Sequence, residues 1–270
     1  MMIHLALPSS LRPLMAAAMA TLLLGACASG PKDNLSLVPA ELNTQTQKAG
    51  LFSQPINWNQ KKPGCKGECP TMVVNSLVFP GHQRLTELVD HALALMTWVD
   101  NDRPAPYDSV RSLREYFWKT AGPRDEIDLI AKTRYRNPHL TVVELQASEY
   151  RTGMAHGISG TQFLIWRNDL KKAVTLDSLL LPGARPAFDA ALRKAHTEWL
   201  GKSPAAREDP ANFRRLWPFV SSDNVALTDT GIVVKYQPYE IAPYSSGQPE
   251  LLIPYSELKS ILRPEYLPPA

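Results

Sequence analysis

His156 has the strongest case of any side chain in this sequence for chemistry at a ligand site. It lies in a turn flanked by glycines, where an imidazole can meet a ligand. A hydrolase would also need a second acid–base group or a nucleophile beside it, and Glu144, Glu149 and Glu240 are the candidates. A lone histidine more often fixes its own turn by bonding to the backbone, and the sequence favours that role over catalysis.

The segment at residues 237–247, QPYEIAPYSSG, is the second candidate site. Its two prolines fix φ and remove backbone donors, so the segment cannot be a central strand. A stiff loop here would present Tyr239, Glu240 and Tyr244 to a glycan or protein ligand. The alternative, which the sequence favours, is a structural corner with the tyrosine rings packed inward. If this loop and the His156 turn meet in space, their groove becomes the leading ligand-site hypothesis.

The sequence lacks the residue patterns that mark other common catalytic, metal-binding and nucleic-acid-binding sites. It contains no G-x-S-x-G elbow and no H-E-x-x-H pair, and His82 and His91 would point to opposite faces of one helix. The formal net charge is only +3, with no cluster of Lys and Arg of the kind that follows phosphates. We therefore predict no catalytic residue, no metal site, no cofactor and no nucleic-acid partner. The tryptophans are assigned to the core, namely Trp166, Trp199 and Trp217.

The first 26 residues have the pattern of an export signal. Arg12 precedes an apolar run at 14–26, which has the length of a signal-peptide core and is too short to span a bilayer. Small residues lead into Cys27 and resemble a bacterial lipobox, which implies cleavage before Cys27 and lipidation of that cysteine. An ordinary signal peptide cut near Ala28 is the alternative. By resemblance to Gram-negative sorting, Ala28 favours the outer membrane, facing the periplasm.

Cys65 and Cys69 form a second cysteine feature, in the stretch PGCKGECP. An exported protein meets an oxidising compartment, where two cysteines in a tight glycine-containing turn can close a small disulfide ring. A C-x-x-x-C zinc half-site would need two further ligands, and none follows nearby. The sequence favours the disulfide.

The elements that must position these residues mix strands and helices, and hairpins outnumber βαβ units. The clearest helix starts near Gln83, because apolar residues recur on one helical face from Leu85 to Val99. The pattern predicts an α+β fold with mostly antiparallel sheet and helices packed on a face, in one domain or two small lobes. Further helices are predicted at 108–121, 186–200 and 256–262, and strands or hairpins at 71–79, 139–151, 161–176, 225–236 and 250–254.

Three stretches of the second half carry a family resemblance: YRTGMAHG at 150–157, TLDSLL at 175–180, and YEIAPYSSG at 239–247 followed by IPYSEL at 253–258. They resemble a C-terminal domain of the RsiV-type anti-sigma ectodomain family, which is also found in bacterial envelope lipoproteins and in a secreted mycobacterial antigen. Met154 stands where the family has a second glycine. A positive φ there would strain the turn.

The resemblance implies extracytoplasmic recognition of a protein, such as lysozyme in the anti-sigma branch, or of a cell-wall ligand such as peptidoglycan. We predict a non-catalytic envelope lipoprotein that binds such a ligand. One alternative is an enzyme acting on an envelope polymer through His156 and a carboxylate, and another is a structural or assembly lipoprotein. The predicted organisation is a signal peptide at 1–26, a lipid-anchored polar tether at 27–64, an α+β lobe at 65–149 and an RsiV-like domain at 150–264.

Overall fold

The computed structural model describes residues 50–98 and 102–268. The predicted signal peptide, Cys27 and most of the predicted tether lie outside the described residues. Within the described ranges, no helix has the length and apolar character needed to cross a membrane.

A six-stranded sheet forms the larger of two sheets. Its strands follow the order of the chain, and every neighbouring pair is antiparallel except the parallel pair of the second and third strands. The mixed, mostly antiparallel architecture confirms the predicted α+β class. The strands are β1 (Gln54–Lys61), β2 (Thr71–Val78), β3 (Glu126–Arg136), β4 (Leu140–Tyr150), β5 (Ile158–Arg167) and β6 (Lys172–Val174).

A second, three-stranded antiparallel sheet follows near the C-terminus. It consists of β7 (Val225–Leu227), β8 (Gly231–Lys235) and β9 (Glu250–Pro254), as the predicted hairpin and last strand require. The connection from β8 to β9 contains the tyrosine-bearing segment, so this loop starts and ends on one small sheet.

Seven α-helices complete the described part of the chain, and the principal ones match the sequence periodicity. The first buries Leu85, Val89 and Leu93, spaced four residues apart on one face. The Ser109 hydroxyl caps the second helix by accepting from the Ser112 N–H. The helices are α1 (Gln83–Leu95), α2 (Val110–Thr120), α3 (Leu176–Leu179), α4 (Arg185–Lys202), α5 (Pro204–Glu208), α6 (Pro210–Leu216) and α7 (Tyr255–Leu258).

Two hydrophobic cores lie on opposite faces of the six-stranded sheet, and β4 contributes to both. Its Leu140 and Val142 pack with α4 and the three-stranded sheet, whereas Val143 and Leu145 pack with α1 and α2. Residues on both faces of one strand are buried when layers cover the sheet on both sides. The six-stranded sheet therefore lies between two packed layers, and its strands carry the turns at their ends.

The folded region begins earlier than the sequence predicts. The predicted tether extends through residue 64, yet Gln54–Lys61 pairs along its whole length with β2. This strand lies at the edge of the sheet, where Pro55 is tolerated and most side chains can stay polar, so its hydrophobic pattern is weak. The sequence prediction also lacks the strand Glu126–Arg136, although its burial alternates along its whole length.

Cys65 and Cys69 form the predicted disulfide, with their Cα atoms 5.9 Å apart. The ring lies in the turn between β1 and β2 and closes only a short loop, which limits its entropic effect on the unfolded chain.

Replacing both cysteines with serine is expected to lower the free energy of unfolding by at most about 2 kcal/mol. Urea unfolding of the double variant and of the wild type under non-reducing conditions measures the difference. A larger loss would contradict the view that this bond only fixes a local turn.

Candidate functional site

Asp125 positions the turn that carries His156. One of its carboxylate oxygens accepts hydrogen bonds from the N–H and hydroxyl of Thr152, both at 2.7 Å. The other accepts from the Gly122 N–H at 3.0 Å and pairs with Arg151 at 3.1 Å. Burial opposes ionisation of Asp125, but these hydrogen bonds outweigh it and lower the pKa of the carboxyl to about 2. The ionised carboxylate therefore ties the start of the turn to the end of α2.

Met154 fits this turn without left-handed strain. Gly153 has a φ of +98°, whereas Met154 is not among the described residues with positive φ. Gly153 supplies the conformation that a side chain would resist, and the Met154 N–H closes the turn on the Arg151 carbonyl at 3.0 Å. The departure from the family pattern at Met154 is therefore accommodated.

The loop from β8 to β9 opens with a strained turn at Tyr239. The Glu240 N–H donates to the Gln237 carbonyl at 3.3 Å, and a Glu240 carboxylate oxygen accepts from the Gln237 N–H at 2.6 Å. Tyr239 has a φ of +70°, a conformation that a turn normally gives to glycine. Tyr239 is nevertheless 53% exposed, so the turn holds an aromatic ring out toward solvent at a conformational cost.

The His156 turn and this loop meet in space. The imidazole of His156 stacks on the ring of Tyr244, with centroids 4.2 Å apart and planes 29° apart. The Tyr244 hydroxyl donates to the Gly157 carbonyl at 3.1 Å, and the Tyr239 hydroxyl lies 3.5 Å from His156 Nε2. The rings face solvent rather than an internal corner, which supports the groove hypothesis over the structural one.

A cavity of about 400 Å³ opens beside these rings. Its wall combines exposed apolar side chains with hydroxyl and amide groups, and among the described residues that line it His156 is the one ionisable side chain apart from the tyrosines. Such a surface suits an uncharged ligand with an apolar face and polar edges. The lining residues are Leu95, Met96, Trp98, His156, Gly157, Ile158, Ser159, Gly160, Thr161, Gln162, Gln237, Pro238, Tyr239 and Tyr244.

Amide side chains complete the edge of β5 beside the cavity. Gln237 accepts from the Thr161 N–H at 2.9 Å and donates to the Thr161 carbonyl at 2.6 Å. Asn224 accepts from the Phe163 N–H at 2.9 Å, and Gln248 accepts from the Thr161 hydroxyl at 2.7 Å. These side chains occupy the positions of a neighbouring strand, so they join the β8–β9 loop to the larger sheet.

No carboxylate contacts His156 within residues 50–98 and 102–268. Its Nδ1 lies 2.9 Å from the Gly157 carbonyl, and its Nε2 faces Tyr239. Glu144 is buried and pairs with Lys235 at 3.1 Å, while Glu149 pairs with Arg151. Glu240 closes the Gln237 turn and does not line the cavity. The described residues also contain no group of three potential metal ligands.

Several residues of the site carry no sequence motif. Ile158 is 50% exposed at the start of β5, and Trp98 follows α1, yet both line the cavity. Trp217 is half-buried, with its ring 6.2 Å from Tyr239, whereas Trp166 lies in the core as assigned.

A family model and the solved structures name the same family, and curated relatives match at lower identity. The model for a protein of unknown function, DUF3298, matches residues 177–256, which include the tyrosine loop but begin after the His156 turn. The chain is 24% identical over 181 residues to Immunogenic protein MPT64 of Mycobacterium tuberculosis and to MPB64 of Mycobacterium bovis, covering 59% of this chain and 75% of theirs.

Solved structures share the fold. A DUF3298 family member from Bacteroides fragilis has a TM-score of 0.60 at 18% identity, with coverage of 80% of this chain and 95% of that one. A DUF3298 family protein from Pseudomonas aeruginosa PAO1 has a TM-score of 0.76 and 33% identity, with coverage of 83% of this chain and all of that one. With this identity across the whole of a solved family member, the chain belongs to the DUF3298 family.

Proposed function

We propose that this chain is a non-catalytic binding protein of the cell envelope and that its ligand occupies the cavity beside His156, Tyr239 and Tyr244. One observation carries the proposal: two segments distant in sequence bring three exposed rings together at the mouth of a cavity. Rigid aromatic side chains lose little entropy on binding. The concave, partly apolar wall beside them can enclose a small ligand.

A binding role is favoured over catalysis by the surroundings of His156. A general base needs a partner that orients it and a second group that acts on the substrate. Here the imidazole contacts a backbone carbonyl and tyrosine rings, and the candidate glutamates form ion pairs or close a turn elsewhere. Stacking on Tyr244 restricts the orientation of the imidazole, and a ring held in one orientation suits a contact with a ligand.

A cell-wall ligand is favoured over a protein partner by the size and charge of the site. A cavity of about 400 Å³ whose described lining residues include no Asp, Glu, Lys or Arg suits a small uncharged unit of a polymer. Protein partners usually bury a larger surface with a charged rim. Lipidation at Cys27 remains part of the proposal and would hold the cavity close to the wall on the periplasmic side of the outer membrane.

Sedimentation with insoluble peptidoglycan tests this function. We expect the wild-type protein to be retained, and the triple variant His156→Ala, Tyr239→Ala, Tyr244→Ala to lose more than about thirtyfold in affinity. A matched triple variant of exposed residues outside the cavity, Leu170→Ala, Leu216→Ala and Leu252→Ala, should be retained like the wild type.

Thermal unfolding of all three proteins establishes that each is folded before binding is compared. Equal retention of the cavity variant and the wild type would overturn the proposed site. Release of shortened or deacetylated wall fragments would point to the enzyme instead. Retention of lysozyme but not of peptidoglycan would point to a protein ligand.

A further inference from the structure

The backbone of β5 alternates in the direction of its hydrogen-bonding groups. In an antiparallel pair, residues that exchange bonds with the neighbouring strand alternate with residues whose N–H and C=O point away from it. Thr161 and Phe163 point away from β4, because their backbone groups bond to the side chains of Gln237 and Asn224. The same alternation directs the Ser159 N–H and C=O away from β4, toward the cavity that Ser159 lines.

Ser159 lies between two positions of this strand edge that already have hydrogen-bond partners. On one side Gln237 bonds to Thr161, and on the other the Tyr244 hydroxyl bonds to the Gly157 carbonyl. Farther along, β6 pairs with Ile165–Arg167. Among the loop and side-chain hydrogen bonds of the described ranges, none involves the Ser159 N–H or C=O.

A secondary amide is the chemical group that fits this position. A trans secondary amide points its C=O and its N–H in opposite directions, so it can bond to Ser159 through one of them, with its C=O accepting from the Ser159 N–H or its N–H donating to the Ser159 C=O. The groups lie in the cavity wall beside Tyr239, Tyr244 and His156, whose rings can cover the apolar face of a sugar ring. The described residues of the lining include no Asp, Glu, Lys or Arg to pair with a charged ligand.

We propose that the cavity recognises an N-acetylated sugar, with the acetamido group bonded to the Ser159 backbone and the sugar ring against the tyrosine rings. This inference rests on the proposed function and specifies its ligand class. A sugar is favoured over an extended peptide because Gln237 and Tyr244 occupy the neighbouring positions that a peptide strand would need.

Two matched trisaccharides test the role of the acetamido group. Tri-N-acetylchitotriose and cellotriose share the same linkage and differ at the acetamido positions. Isothermal titration of the whole protein should give at least about tenfold tighter binding of the N-acetylated sugar, because cellotriose leaves the Ser159 groups unpaired. Equal affinities would overturn the acetamido assignment.

A matched pair of variants at Ser159 tests the backbone contact itself. Ser159→Pro removes the N–H without breaking a bond to β4, since proline is tolerated where the strand N–H points off the sheet. It should weaken binding of tri-N-acetylchitotriose about fivefold or more and leave cellotriose unchanged. Ser159→Ala keeps the N–H and should bind like the wild type. Equal loss in both variants would assign the contact to the hydroxyl and overturn the proposal.

The remaining outcomes separate this inference from the proposed function. Binding of a capped, uncharged alanine tripeptide in place of either sugar would overturn the sugar assignment and leave the site as a binding site. Equal binding of both sugars, together with loss of binding in Tyr244→Ala, would overturn the acetamido assignment and leave the site as a binding site. Retention on peptidoglycan without binding of any small probe would overturn only the inference. If the wild-type protein binds no small probe and is also not retained on peptidoglycan, the proposed function is overturned.

Discussion

Replacing Tyr244 with alanine is expected to weaken retention on peptidoglycan at least about thirtyfold, the loss typical of a central aromatic contact at an interface. Tyr244 stacks on His156, faces Tyr239 at 5.7 Å and donates to the Gly157 carbonyl. Its removal deprives the imidazole of the ring that restricts it and deletes part of the cavity wall. The stability of the fold should change little, because Tyr244 is 36% exposed.

Tyr244→Phe is the matched control for this prediction. It keeps the ring and its stacking on His156 and loses only the hydroxyl bond to Gly157, so retention should stay within about fivefold of the wild type. Binding is measured by sedimentation against a series of peptidoglycan concentrations, after thermal unfolding has established that both variants are folded. An alanine variant that binds like the phenylalanine variant would remove Tyr244 from the site.

The elements with a strong period could be predicted from the sequence, and those without one could not. The apolar stripe of α1 predicted its face and its start at Gln83. β1 is an edge strand with mostly polar side chains, so it resembles a tether when read alone. The parallel pairing of β2 with β3 depends on a crossover through two helices, and local patterns do not encode such long-range contacts.

The candidate site divides in the same way. The sequence identified His156, Tyr239, Tyr244 and Glu240 as residues in unusual turns, but it could not predict that the two turns converge, since more than 80 residues separate them. The role of Glu240 also depends on geometry that the sequence does not give, because its carboxylate bonds to the backbone of its own turn. Ser159 has no motif, because its contribution comes from the direction of its backbone groups.

The strain at Tyr239 agrees with a role for its ring at the surface. A turn with a φ of +70° would form more easily with glycine, and a tyrosine there costs roughly 1 kcal/mol of conformational energy. The ring is more than half exposed beside Trp217 and Tyr244, so its burial offsets little of this cost. Residues kept in strained backbone conformations occur preferentially at functional sites, and the cavity mouth is such a place.

Asp125→Asn is expected to lower the free energy of unfolding by about 2 kcal/mol at neutral pH and to abolish an acid-dependent part of the stability. The wild-type carboxyl has a pKa of about 2 in the fold against an ordinary 3.8, because Thr152, Gly122 and Arg151 donate hydrogen bonds to it despite its burial. An asparagine amide can accept on one side only. Its N–H₂ group would oppose the Gly122 N–H or the Arg151 guanidinium.

The direction of the pH dependence follows from this lowered pKa. Between the two pKa values the unfolded chain binds more protons than the fold, so acid favours unfolding. The stability from Asp125 is fully present above about pH 4 and is lost as the pH falls to about 2. Urea unfolding from about pH 6 to about pH 2 should therefore show the difference between wild type and variant shrinking by about 2 kcal/mol. A difference that stays constant would mean that the Asp125 charge does not hold the His156 turn.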